Sequence, residues 1–269
     1  MKDTIFFAHG NGFPSACYRQ LLLALEESYI CKYIDKIGHN PRFPVTDNWE
    51  YLVDELIAGI QKECSHPVIG VGHSLGGVLT LLAAIKMPSL FKSVIMIDSP
   101  LLSRFKSTII GFAKLLGLID KITPAFRAKK RQSFWQNKEE LISYLRSRPL
   151  FKTFSDACLQ DYIDFGFKKT EKGYRLYFKR FIEYLIFRTI PHDLPRYEGL
   201  LTVPTALIYG NKSNVIDRLD VRYMQKKYNI HCYKMKGTHM LPMEHPDAVA
   251  RQIFIILKEL NIQASIQQN

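Results

Sequence analysis

Residues Pro67–Met87 read PVIGVGHSLGGVLTLLAAIKM. An apolar run with strand character, Pro67–Val71, meets an apolar, glycine-tolerant run with helix character, Gly77–Ile85. Between them stands Gly72-His73-Ser74-Leu75-Gly76, a G-x-S-x-G element. A serine at a sharp strand-to-helix turn is pushed out of both elements, so its hydroxyl stands above the sheet, and the flanking glycines leave room for the tight backbone. The helix N-terminus behind it sets a positive dipole end where an oxyanion would form.

Outward from this stretch, strand and helix patterns alternate. Ile5–Ala8 is a short apolar run that ends in His9-Gly10-Asn11-Gly12-Phe13-Pro14 and leads into Tyr18–Glu26, where Leu21, Leu22 and Leu25 make a helical stripe. Tyr29–Ile34 has strand character, and Trp49–Glu63 places Leu52, Leu56 and Ile60 on one helix face. Val94–Ile97 is a buried strand closed by Asp98-Ser99-Pro100. Alternation resumes at Val203–Tyr209, continues through Val221–Tyr228, and Ile230–Met235 leads to Lys236-Gly237-Thr238-His239. Pro246–Leu260 closes the chain as an amphipathic helix with proline at its start. Nearly continuous apolar strands between helices predict an α/β fold, a mostly parallel sheet covered on both faces.

Residues 101–198 break the rhythm. They are helical in pattern, rich in Arg, Lys and aromatics, and hold no buried strand; only Tyr174–Tyr177 suggests a brief pairing. The expected organisation is a core in two parts, 1–100 and 199–269, with a helical insertion over 101–198. Between Leu101 and Arg196 there are 20 Lys and Arg against nine Asp and Glu, so nearly all of the chain's net charge of +12 lies there. Such asymmetry suits an anionic lipid surface, a nucleotide-bearing thioester or an acidic carrier protein, and equally a solvated helical surface. Nucleic acid is not expected, because the charge belongs to no reading motif. The insertion is expected to turn its apolar face to the substrate pocket and its charge outward; Arg127–Trp135 is its densest basic and aromatic cluster, read as a lid helix with one buried edge.

Composition excludes other classes. With 269 residues, 47% of them hydrophobic, the chain can bury one large core. Five cysteines scattered singly suggest neither a disulfide framework nor a zinc site, no apolar stretch approaches a membrane span, and the opening apolar run is too brief for a signal-peptide core; a reduced, cytoplasmic protein is expected. There is no H-E-x-x-H and no phosphate-binding G-x-G-x-x-G or P-loop, so no metal and no cofactor are expected.

The HGNGFP loop, the GHSLGG turn and the late GTHMLPMEHP segment together resemble the α/β-hydrolase superfamily, over most of the chain outside the insertion. The resemblance implies that Ser74 is the nucleophile, that His239 is its base, that the backbone N–H groups of Asn11 and Leu75 form an oxyanion hole, and that the insertion is a lid. Two strands that usually lead the family's sheet are not seen, so about six strands are expected. A serine at the elbow points to acyl transfer rather than to the alkyl-ester chemistry of relatives that carry a carboxylate there. Carboxylic esters with hydrophobic or amphiphilic acyl groups, thioesters and carbon–carbon bonds beside a carbonyl stay open, as does a non-catalytic receptor on the same scaffold.

The acid of the triad departs from the pattern. Many relatives carry it a few residues beyond a glycine after a late strand, where this chain reads Gly210-Asn211-Lys212-Ser213-Asn214-Val215-Ile216-Asp217. An amide there would orient an imidazole without stabilising its charged form. Asp98, at the end of the strand next to the serine strand, is the favoured candidate, with Asp217 and Asn214 as alternatives. His73 is expected to pack or bond locally, His9 to shape its loop, and Glu244 to support the segment around His239.

Overall fold

Consecutive residues of the first strand enter opposite cores. In β1 (Thr4–Ala8), Ile5 and Phe7 join one apolar cluster while Phe6 and Ala8 join another, as the alternation of side chains along a strand requires. The computed structural model describes residues 2–267. After β1 come α1 (Arg19–Glu26), β2 (Ile30–Tyr33), α2 (Glu50–Glu63), β3 (Val68–His73), α3 (Leu75–Lys86) and β4 (Phe91–Ile97). Between β4 and the next strand of the main sheet come α4 (Arg104–Leu115), α5 (Ile119–Ile122), α6 (Ala125–Lys130), β5 (Phe134–Trp135), α7 (Lys138–Ser147), α8 (Asp156–Gly166), β6 (Phe167–Thr170), β7 (Gly173–Leu176) and α9 (Arg180–Arg188). The core then resumes with β8 (Thr205–Gly210), α10 (Arg218–Tyr228), β9 (His231–Met235), α11 (Leu241–Glu244) and α12 (Pro246–Gln267).

Six strands form one parallel sheet in the order β2-β1-β3-β4-β8-β9. On one face α1 and α12 cover Ile5, Phe7, Val71, Ile95 and Ile208; on the other, α2, α3 and α10 cover Phe6, Val94, Met96 and Leu207. β1 is flanked by β2 on one side and β3 on the other, so the loops after β1 and β3 diverge. That divergence opens the crevice in which doubly wound sheets hold their ligands.

The segment between β4 and β8 has two unlike halves. Trp135, Leu141, Leu145, Phe151 and Tyr162 join the apolar cluster beneath α1 and α12 through Phe13 and Cys17, so residues 134–167 are welded to the core. The half formed by α4, α5 and α6 buries little: among the described residues Ser107 and Ala113 of α4 and Ile119 of α5 are buried, and Ala125 and Ala128 of α6 pack with Tyr184 of α9 as a small cluster of their own. Two expectations are corrected here. β5, β7 and β6 form a small antiparallel sheet where no strand beyond Tyr174–Tyr177 was expected, because strands of two to four residues are too short to show alternation in a sequence. The expected orientation, apolar face inward and charge outward, fails for α4, whose large apolar residues face solvent; Arg131, whose side chain is only 15% exposed, lies on the buried edge expected of its cluster.

Candidate active site

Ser74 leaves β3 with φ 53° and ψ −115°, a conformation that costs a non-glycine residue on the order of 1–3 kcal/mol. Its neighbours make the turn possible. A Cβ on Gly76 would lie 2.0 Å from the Ala8 carbonyl oxygen, and one on Gly72 2.4 Å from the Gly76 carbonyl carbon, so only glycine lets α3 start this close to β1 and β3. The Ser74 N–H donates to Ile97 O at 2.9 Å, which binds the turn to the adjacent strand. Among the described residues, no hydrogen bond engages the N–H of Leu75 or of Asn11, and none joins Ser74 Oγ to His239.

Asp98, fully buried, extends β4 by one residue at φ 44°, with its N–H donating to Ile208 O at 2.7 Å. Its carboxylate collects three donors. Gly210 N–H reaches Oδ1 at 2.9 Å, Ser213 Oγ–H reaches Oδ2 at 2.6 Å, and His239 Nδ1 lies 2.7 Å from Oδ2. Because a carboxylate only accepts, Nδ1 carries the proton, and the lone pair of the neutral ring stands on Nε2. Three converging donors offset the desolvation that burial imposes on the charge.

Neither alternative for the acid bonds to the imidazole among the described residues. Asp217 caps α10, accepting from Leu219 and Asp220 N–H, and pairs with Lys106 at 2.8 Å. That Lys106 contact holds its carboxyl below the usual range. Asn214 has no hydrogen bond to His239 among the described residues. Ser213, in the same segment as Asn214, donates to Asp98.

A chain of hydrogen bonds links the loop after β1 to the loop that carries His239. His73 Nε2 lies 2.9 Å from the His239 carbonyl oxygen, which can only accept, so Nε2 bears the proton and Nδ1 accepts from Tyr18 Oη–H at 2.7 Å. The Tyr18 oxygen in turn accepts from Gly10 N–H at 3.0 Å. Burial, reinforced by the neighbouring His239, lowers the His73 pKa to about 3, so its ring is neutral and this direction of donation is fixed. His9 shapes its own loop: Nε2 accepts from Ile37 N–H at 2.8 Å, and Nδ1 lies 2.8 Å from Gly10 O. Glu244 holds Thr238 by its N–H at 2.8 Å and its hydroxyl at 2.5 Å, immediately before His239.

Above the loop after β1 lies a buried ion pair. Arg131 Nη1 meets Glu183 Oε2 at 2.9 Å, Arg131 Nη2 donates to Tyr162 Oη at 2.5 Å, and Asn11 Nδ2 donates to Glu183 O at 3.0 Å. Glu183 and Tyr162 hold the Arg131 guanidinium firmly protonated against the cost of burial. Sequence reasoning missed Tyr18, Glu183 and the inward role of Arg131. Tyr18 reads as one more residue at a helix start, and Arg131 as one more member of a basic run.

A family model described as the alpha/beta hydrolase family matches residues 5–252. The peroxisomal membrane protein LPX1 of Saccharomyces cerevisiae is 26% identical over 301 residues, covering 98% of this chain and 77% of that protein. A monoglyceride lipase of Rattus norvegicus is 33% identical over 129 residues, 44% of this chain and 43% of its own. Among solved structures, E-2-(acetamidomethylene)succinate hydrolase superposes with a TM-score of 0.79 at 19% identity, over 96% of this chain and 91% of that one.

Proposed function

From the premise that the chain belongs to the alpha/beta hydrolase family, we propose that it is a serine hydrolase of carboxylic esters with hydrophobic or amphiphilic acyl groups, working through an acyl-enzyme, with residues 101–198 as its lid. The observation that carries this reading is the 2.7 Å contact of His239 Nδ1 with the buried Asp98 carboxylate, on the sheet edge where the strained Ser74 turn stands. His239 Nε2 takes the Ser74 proton as Oγ attacks the ester carbonyl, and Asp98 stabilises the imidazolium. The oxyanion is received by the N–H groups of Leu75 and Asn11. Collapse breaks the ester C–O bond, the alcohol leaves with the proton from His239, and a water activated by the same imidazole hydrolyses the acyl-serine. No metal or cofactor enters these steps.

Fluorophosphonate labelling of the folded protein, with chromogenic esters of graded chain length, tests the reading. Labelling and turnover should both vanish in Ser74→Ala while the thermal midpoint stays within about 2 °C of wild type. A folded wild-type protein that neither labels nor turns over any ester refutes it. Thioester hydrolysis is a second reading, drawn from the exposed cations Arg127, Lys129 and Lys130. An acyl-CoA turned over faster than the matching ester, with KM raised when those cations are neutralised, would favour it.

A further inference from the structure

α4 is mounted with its polar side toward the protein. Its inward stripe is Ser107, Gly111 and Lys114: a Cβ on Gly111 would lie 3.1 Å from His192 Cδ2, and Lys114 pairs with Asp47 and reaches His192 Nδ1 at 3.1 Å. Its outward stripe is Phe105, Ile109, Phe112 and Leu116, at the four- and three-residue steps that keep side chains on one side of a helix, with Leu115 beside them. Phe112 is 60% exposed and Leu115 80%. A surface helix of a protein that meets only water has the reverse arrangement.

α5, which packs against α4, and α6, which packs against α5, expose Ile122 and Phe126, both about half exposed, and add charge. Lys121, Arg127, Lys129 and Lys130 are exposed and make no ion pair among the described residues. From Leu101 to Arg131 the chain has eight Lys and Arg and one acid, Asp120. An open groove of about 780 Å³ borders the face between α4 and residues 192–196, with Arg104 and Arg196 in its walls.

We infer that this face docks on the surface of an anionic lipid bilayer, the α4 stripe entering the boundary between headgroups and acyl chains while the cations of α5 and α6 meet lipid phosphates. Bulky apolar side chains on one helix face, flanked by lysines whose stems can lie along the hydrocarbon, fit an interface that is apolar on one side and anionic on the other. Charge argues against a second copy, since a two-fold contact through this face would set one cationic patch against its twin. An acidic carrier protein would satisfy the cations and leave the phenylalanines in water. Among the described residues no helix is long and apolar enough to cross a membrane. The inference stands without the Ser74 chemistry.

Co-sedimentation of the full chain with vesicles of about 3:1 phosphatidylcholine to phosphatidylserine tests it. Wild type and Ser74→Ala should bind alike, more weakly to pure phosphatidylcholine and more weakly again as salt is raised. The double variant Phe105→Ser, Phe112→Ser should lose at least about tenfold in binding with an unchanged thermal midpoint, since both rings are exposed. A triple exchange of Lys121, Arg127 and Lys130 to Gln should remove the preference for anionic vesicles. The inference is overturned if wild type stays in solution with anionic vesicles, or if the double phenylalanine variant binds as well as wild type. A concentration-dependent dimer that the double variant abolishes, with no vesicle binding, would assign the face to a second copy instead.

Discussion

Seven residues apart in the chain, Asp98 is fully buried and Phe105 is 76% exposed: a carboxylate sits inside the molecule and a phenyl ring stands in water. The contrast separates two ways of treating a residue against its preference. At the sheet edge the fold surrounds the disfavoured group with partners, three donors for one carboxylate and a directed chain from Gly10 through Tyr18 and His73 to His239. On α4 it supplies no partner, and the apolar stripe is left for something outside the chain. Strain at the edge is enclosed by partners, which keeps that geometry in place; exposure on α4 is open, which suits reversible attachment.

The sharpest way to break the sheet-edge side of this comparison is Asp98→Asn. With an amide in place of the carboxylate the imidazole loses both its tautomer and its counter-charge, and kcat for a chromogenic ester should fall by about 10⁴ with little change in KM. Asn214→Asp in that background should not restore it, because Asn214 has no bond to His239 among the described residues. Next in size is a comparison inside the basic run Arg127–Arg131. Arg131→Met strands the buried Glu183 carboxylate and should cost about 3–5 kcal/mol in denaturant unfolding, whereas Arg127→Met and Lys130→Met, both at exposed positions, should stay within about 0.5 kcal/mol of wild type.

The buried histidines add a dependence on pH. Burial lowers His9 to about 4 and His73 to about 3, while in the unfolded chain each titrates near 6.5. Their contribution to stability is therefore complete above pH 6.5 and is lost as pH falls toward those lower values, because the unfolded chain takes up the protons first. Each should cost about 2 kcal/mol between pH 7 and pH 5. Glu55, whose burial raises its carboxyl to about 7, slopes the other way in this window. Urea unfolding of wild type and His73→Gln across the range isolates the His73 share, since Glu55 is common to both. The smallest effect expected is that of Tyr18→Phe. It leaves Gly10 N–H and His73 Nδ1 without their partner and should lower kcat about tenfold while KM holds, as loss of positioning rather than of a reacting group.

Local pattern carried much of this in the sequence. The apolar strands, the glycines of the Ser74 turn and the order of HGNG, GHSLG and GTH were enough for the fold, because strand alternation and the steric demands of a tight turn act over a few residues. The resemblance carried by those motifs pointed to Ser74 and His239, with Asp98 favoured over Asp217 and Asn214 as the acid, and the structure brings His239 and Asp98 into contact. Whether the acid was Asp98, Asp217 or Asn214 depends on where β4 ends relative to β8, and that register is made by hydrogen bonds between residues more than a hundred positions apart. The partners of Arg131, the Tyr18–His73 link and the outward turn of α4 belong to the same class. A helical stripe states that two faces differ, but only packing decides which of them meets the protein.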